Sequence, residues 1–385
     1  MKGIRVVDMT SVLSGPFCTW LLASLGADVI KVENPNGDTS RTTPPFKDGV
    51  GLYFASVNRN KRSIKLDLKT DDGKAVLRKL LASADVFVEN MRPGVRDRLG
   101  CSDQELKAIN PKLISASISG FGQKGSLSDR PAYDIVVQAM SGMMSINGEL
   151  GGNPTRVGFS VGDISVAMFA VIGILQRLYE RDAQAKSDIN HLDVSMLACQ
   201  WACLENAFSR HLNTGVVPGP IGSRHPSATP FEPYPTADQD IVIGLGSEKD
   251  WAPFCKAIGF PSLLNDPRFQ GAETRLENRD ALDEVLGSYL CKKPSSYWID
   301  LLIKSSIPCS VIENIESISN NLISKEYNAF SEIEVGITKQ KMRFVRNPIS
   351  SENLVETPPP KLGEHTLQIL QEIGCDESLI QKIIN

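Results

Sequence analysis

The first 120 residues alternate between β-rich and helix-spaced segments, and this alternation limits what the chain can fold into more than any other feature. IRVVDMT (4–10) reads as a strand, SVLSGP (11–16) as a breaker loop, FCTWLLASLG (17–26) as a helix ending in glycine, and ADVIKVE (27–33) as a second strand. A second unit of the same kind follows: KAVLRKLLASAD (74–85) as helix, VFVEN (86–90) as strand, RDRLG (96–100) closing a short helix, KLISASISG (112–120) as strand. Val and Ile on both faces of these strands predict a mostly parallel, Rossmann-like sheet covered on both sides, with ligands at the carboxyl ends of its strands.

Further along, VGFSVGDISVAMFAVIGILQRLYERD (157–182) carries Ile164, Ala167, Met168, Val171, Ile172, Leu175 and Leu178 at helical spacing, which predicts a largely buried helix starting near Asp163. HLDVSML (191–197) reads as a strand entering a helix. Glycine and proline then recur, so residues 1–212 are expected to form the first part of a large α/β domain and 213–235 a linker. A smaller α+β domain is expected over 236–320, and a linker with a C-terminal return to the large domain over 321–385. The length of 385 residues suits two or three domains at roughly 150 residues each.

Charge narrows the partners. Lys and Arg number 41 against 45 Asp and Glu, a net charge of −4, so there is no general attraction to nucleic acid or to an anionic membrane. No apolar run is expected to reach the roughly 20 residues of a membrane span, and the N-terminus enters a strand pattern directly, so the expected location is the cytoplasm. Eight cysteines without a CxxC pair and only four histidines read as reduced, mostly buried thiols with no metal site.

Three places could carry chemistry. The first loop has the layout of a dinucleotide site without its fingerprint: Ser11-Val12-Leu13-Ser14-Gly15-Pro16 holds a single glycine, where GxGxxG is needed for a pyrophosphate. A helix N-terminus able to face a carbonyl, a carboxylate or pantetheine amides remains. Asn60-Lys61-Arg62, Leu66 to Lys69, and Glu89 to Gly94 with Arg96 and Arg98 follow predicted strands; they suit either a solvated face or contacts to phosphates and adenine. Asp163, beside Gly158 and Gly162, reads either as a helix N-cap or as an oriented, partly dehydrated carboxylate for covalent catalysis. The histidines, 191, 211, 225 and 365, form no catalytic arrangement and read as packing or capping residues.

Several ordered blocks then resemble the class III coenzyme A transferases, the carnitine and bile-acid CoA-transferase family: VVDMTSVLSGP (6–16), LGADVIKVENP (25–35), NKRSIKLDLKT (60–70), ADVFVENMRPG (84–94), SISGFGQKGSLSDRPAYDIVVQAMSG (117–142), RVGFSVGDISV (156–166), GSRHPSATPFEPYPT (222–236) and PKLGEHT (360–366). The resemblance implies ping-pong exchange of CoA between carboxylic acids in an interlocked homodimer. CoA and acyl-CoA are then substrates, and no cofactor is tightly bound. It places the catalytic aspartate at Asp163 and coenzyme contacts at Val12, Leu13, Ser14, Leu66, Lys69, Asn90, Met91, Arg92, Arg98 and Tyr133. Tyr133 stands where the related acyl-CoA racemases carry a proton-transferring histidine, and a phenol with a pKa of about 10 suits that role poorly. Formyl-CoA transferase has glutamine at the position of Leu13 and arginine at that of Asn34. Its glycine-rich covering loop has no counterpart here, Gly244 to Ser247 being the nearest candidate, and Ala185-Lys186-Ser187-Asp188 replaces a glycine-rich turn. The expected activity is transfer of CoA from an acyl-CoA to a small dicarboxylate; the alternatives are an α-methylacyl-CoA racemase or epimerase and a CoA-binding protein without turnover.

Overall fold

The structure, a computed structural model, describes residues 1–183, 190–349 and 356–385; the segment 185–188 singled out above lies outside the described residues. The chain divides into two compact units, one of residues 1–144, 156–217 and 325–385 and the other of 145–155 and 218–324.

In the larger unit, β1 (Arg5–Met9), β2 (Asp28–Glu33), β3 (Lys61–Lys65), β4 (Val86–Glu89), β5 (Ile114–Ser119) and β6 (His191–Ser195) form one sheet in the order β3-β2-β1-β4-β5-β6. Every pairing is parallel. The chain winds outward from β1 to β3 on one side and then outward from β4 on the other, so β1 and β4 flank a topological switch point. Five helices bear on this crevice or its frame: α1 (Ser14–Ser24), α2 (Asp71–Ala82), α3 (Asp134–Ser141), α4 (Val161–Asp182) and α5 (Met196–Cys203). Adjacent valines of β1 point to opposite faces, as strand geometry requires. Val6 packs with Cys18 and Leu22 of α1 and with Val166, Ala170 and Ile174 of α4. Val7 packs with Leu77 and Leu80 of α2 and with Ile369, Leu370 and Ile380 of the C-terminal segment. The mixed α/β fold with a parallel sheet expected from the alternation is the fold observed.

Helix α4 departs from its sequence reading in three ways. It begins at Val161, so Asp163 is its third residue; Ser160 holds the cap position without a side-chain cap bond, and the N-cap reading of Asp163 fails. Only one face is buried: Val166, Ala167, Ala170, Val171, Ile174 and Leu178 pack inward, while Met168, Phe169, Ile172, Leu175 and Tyr179 are exposed. Contrary to expectation, the helix is also long and apolar enough to cross a membrane by length and composition. Its inward face, however, belongs to the core over the sheet.

The smaller unit contains an antiparallel sheet in the order β9-β8-β7, from β7 (Phe231–Tyr234), β8 (Ile241–Gly244) and β9 (Cys309–Val311). Helices cover it through Phe254, Leu282, Leu286, Leu290, Trp298 and Leu302. β7 lies inside the segment expected as a linker. As an edge strand it tolerates Pro233, whose missing N–H would break an interior ladder. Residues 145–155, expected in the large domain, belong to this smaller unit.

Beneath the first loop of the larger unit sits a group of buried charges. Lys61 Nζ lies 3.0 Å from Asp8 Oδ2 and also donates to the Pro16 carbonyl, Thr19 Oγ1 and Asn58 Oδ1 at 2.7–3.0 Å. Lys31 Nζ donates to the Thr10 carbonyl at 2.8 Å and pairs with Asp38 at 2.9 Å. All four ionic side chains are essentially without solvent. Neither Lys61 nor Arg62, which pairs with Asp28 and Glu372, is available to a phosphate, so that part of the strand-end reading gives way to a structural one. Burial alone would raise Asp8, but the Lys61 and Lys31 charges outweigh it and hold the carboxylate ionised. Breaking such a pair leaves an uncompensated buried charge. Lys61→Met is therefore expected to lower the unfolding free energy by about 3–5 kcal/mol in urea denaturation. Adding Asp8→Asn should recover part of the loss, and strict additivity of the two changes would show that the pair is not coupled.

Candidate functional site

At the switch point lies a cavity of about 480 Å³, lined by the loop after β1 (Ser11 to Ser14), the loop after β4 (Asn90 to Pro93), the end of β5 with its following loop (Ile118 to Phe121, Ser128 to Pro131), Tyr53, Arg156, and the first turns of α3, α4 and α5. The loop after β1 is held from three sides. Asn90 Oδ1 accepts from the Ser11 N–H at 2.9 Å, and Asn90 Nδ2 donates to the Ser11 carbonyl at 2.8 Å, so one amide side chain bridges the crevice. Asp38 Oδ1 accepts from the Val12 N–H at 3.3 Å. Gly15 is needed because a Cβ there would run into the Thr10 side chain. Val12 adopts φ 70°, a conformation costly for a β-branched residue and maintained here by these contacts.

Four helices, α1, α3, α4 and α5, present their first turns to the cavity through Ser14, Asp134, Asp163 and Met196. Neither α1 nor α4 has a side-chain cap. The unpaired N–H groups and positive dipole ends of helix starts favour bound anions and developing oxyanions.

Asp163 is half-buried in this cavity. Burial, and then the neighbouring Asp134 charge, push its carboxyl up to about 6, with the Ser14 hydroxyl pulling the other way through a hydrogen bond. Asp134 is fixed by the Gly162 N–H at 2.8 Å and by Gln138 Nε2 at 2.7 Å. A Cβ at position 162 would collide with Gln200 and crowd Asp134, which explains the glycine immediately before Asp163. At neutral pH the Asp163 carboxylate is mostly ionised, poorly hydrated and oriented, a combination suited to nucleophilic attack.

Of the sequence-expected site residues, Val12, Leu13, Ser14, Asn90, Met91, Arg92, Tyr133 and Asp163 all line the cavity. Leu66, Lys69 and Arg98 do not. The Leu66 side chain is buried in the apolar core against α2. Lys69 is solvent-exposed. Arg98 lines a second cleft of about 460 Å³ with Lys74 and Arg78. No histidine reaches the cavity: His191 meets Arg96 and Ser115, His365 accepts from the Ser63 N–H, His225 lies tilted against the Phe231 ring, and His211 lies by the Val216 carbonyl. The sequence reading missed Tyr53 and Arg156. Tyr53 lies near enough to Asp163 and Asp134 that, after burial, their charges push its phenol up. Tyr53 carried no signal beyond its own type, and Arg156 only its place at the head of the block 156–166.

The raised Asp163 pKa has a definite sign for stability. The folded protein holds this proton more tightly than the unfolded chain, so the group opposes folding progressively as pH rises from about 4 to about 6. Asp163→Asn, which keeps the shape and removes the charge, is expected to stabilise the protein by up to about 3 kcal/mol at pH 7.5 and by almost nothing near pH 4. Thermal unfolding of both proteins at the two pH values measures the difference; an equal gain at both would refute the pKa shift.

Comparison with known proteins identifies the family. The family model described as CoA-transferase family III matches residues 1–366. An acetyl-CoA:oxalate CoA-transferase of Acetobacter aceti is 43% identical over 83% of this chain and 82% of that protein. A succinyl-CoA:glutarate CoA-transferase of Mus musculus is 34% identical over 100% of this chain and 89% of its own length. Among solved structures, a CAIB/BAIF family protein from Brucella suis superposes with a TM-score of 0.84 at 32% identity, over 97% of this chain and 99% of that one. With the match running from the first strand to the start of the C-terminal helices, the chain belongs to CoA-transferase family III.

Proposed function

We propose that this family III CoA-transferase moves CoA from an acyl-CoA to a small dicarboxylic acid through covalent intermediates on Asp163. The observation that carries the reading is the placement of a half-buried carboxylate, raised to about 6, in the switch-point cavity among four helix starts. The similarity to oxalate- and glutarate-using transferases supports the acid class.

The chemistry needs no metal and no separate general base. The Asp163 carboxylate attacks the thioester carbonyl, and collapse of the tetrahedral adduct expels CoA thiolate and leaves an acyl-aspartyl anhydride. The thiolate attacks the aspartyl carbonyl, releasing the first acid as its carboxylate and leaving an aspartyl-CoA thioester. The incoming carboxylate attacks that thioester and expels the thiolate again, forming a new anhydride. Thiolate attack on its acyl carbon yields the new acyl-CoA and restores Asp163. Each step builds an oxyanion, for which backbone N–H groups at the cavity rim are suited donors; losing one such donor typically costs about 3 kcal/mol of barrier. In this reading Val12, Leu13, Ser14, Asn90, Met91, Arg92 and Tyr133 contact the coenzyme near its reacting end. Lys69 and Arg98 meet its phosphates or ribose, and Leu66 contributes near the adenine through its backbone.

A homodimer belongs to the same reading. It is supported by the apolar strip on α4, where Ile172 is 62% and Tyr179 76% exposed, a patch of the kind that marks an interface. Sedimentation equilibrium should return twice the 42.0 kDa chain mass, and Ile172→Glu should shift it toward the monomer; a monomeric wild type would end this part of the reading.

The nucleophile is tested by trapping. Incubation with acetyl-CoA followed by hydroxylamine should convert the Asp163 side chain to its hydroxamate, located by peptide mass spectrometry, and Asp163→Ala should abolish both label and turnover. Ordinary turnover in Asp163→Ala would defeat the assignment. Transfer rate should also rise with pH through a midpoint near 6 as the carboxylate ionises.

A further inference from the structure

Arg156 lines the same cavity as Asp163 and is left largely uncommitted. Among the described residues its only charged contact is a long one, 3.8 Å from Asp134 Oδ2, and its side chain is 45% exposed. Among the described residues its guanidinium makes no hydrogen bond closer than that contact, although it carries five N–H donors. Asp134 in turn does not depend on it, since Gly162 and Gln138 already hold both carboxylate oxygens. The backbone beside Arg156 is pinned: Gln138 Oε1 accepts from the Val157 N–H at 2.9 Å. A cation is thus held at the cavity wall one carboxylate away from Asp163, with Asp134 between them, bonded to the N–H of the residue that precedes Asp163. The other cavity arginines lack this link: Arg130 lies over the Phe121 ring, and Arg92 sits on the loop after β4.

We propose that Arg156 is the specificity-determining residue that receives the non-reacting carboxylate of a dicarboxylic substrate while the other carboxyl group reacts at Asp163. This inference rests on the CoA-transfer reading above and deepens it by naming the group that selects the acid. A planar guanidinium binds a carboxylate through two parallel N–H bonds, and a monocarboxylate of the same length would leave the fork unpaired. Discrimination then arises from one charged contact remote from the reacting carbon, expressed as the acid's kcat/KM.

The test uses acetyl-CoA as donor and compares succinate with monomethyl succinate, which has the same chain but one charge, in the wild type, Arg156→Gln and Arg156→Lys. The wild type should prefer succinate. Arg156→Gln should lower kcat/KM for succinate about 10- to 100-fold, mainly through KM, and leave monomethyl succinate within about threefold. Arg156→Lys should recover part of the succinate activity, and the KM for acetyl-CoA should stay unchanged in all three. An equal loss for both acids would overturn the proposal, as would a loss that disappears at higher pH, because Arg156 would then act through Asp163 ionisation. A wild type indifferent to the second charge, yet labelled at Asp163 by acetyl-CoA, would overturn the proposal alone. Absence of any label at Asp163 would remove the underlying reading with it.

Discussion

The buried pairing of Asp8 with Lys61 and of Lys31 with Asp38 is the constraint on which the rest of the larger unit depends. Four charges without solvent are tolerable only because each is answered by an opposite charge or several hydrogen bonds, and those bonds run to the loop that forms one wall of the cavity. Lys31 holds the Thr10 carbonyl, Lys61 holds the Pro16 carbonyl, and Asp38 accepts from the Val12 N–H. The loop is therefore tied at its start, middle and end, and Val12 stays in a conformation it would not keep alone. Ser14, whose hydroxyl reaches Asp163, inherits its position from these ties.

A doubly wound parallel sheet opens a crevice where its winding reverses, and this protein adds two things to it. One is the Asn90 amide, which joins the two loops of the switch point as a strut. The other is the convergence of four helix starts on the cavity that holds Asp163, so that a carboxylate there meets fixed dipoles. The cavity is electrically divided. Asp134 adds to burial in raising Asp163, and Arg156 stands beyond Asp134 with its donors available. Burial is the larger cause of the shift, and the carboxyl, raised to about 6, is still mostly ionised at neutral pH.

Much of this was legible in the sequence, for reasons specific to each residue. The alternation of strand and helix, and the two-sided apolar strands such as Val6-Val7, sufficed for the sheet. Asp163 and the loop residues from Val12 to Ser14 stood out because they fall in ordered blocks shared with a family. Other features were hidden. Periodicity marks the apolar residues of α4 but cannot tell which of them face the sheet, so Ile172 and Leu175 read as core and are exposed. Lys61 reads as a solvated or phosphate-facing lysine because residue type and strand position are the same whether a lysine points outward or is drawn into a charge cluster. Gly and Pro content marked 213–235 as a linker, although an edge strand such as β7 accommodates proline.

Local pattern along the chain was enough for the alternation of strands and helices, the parallel sheet and the family. Which side chains meet was set by the folding of distant segments onto one another. Tyr53, Asp134 and Arg156 come from separate segments and gather around Asp163 only when the sheet is wound and the helix starts converge. The physical reason is that burial and Coulomb interaction depend on distance in space, and no spacing along the chain records it.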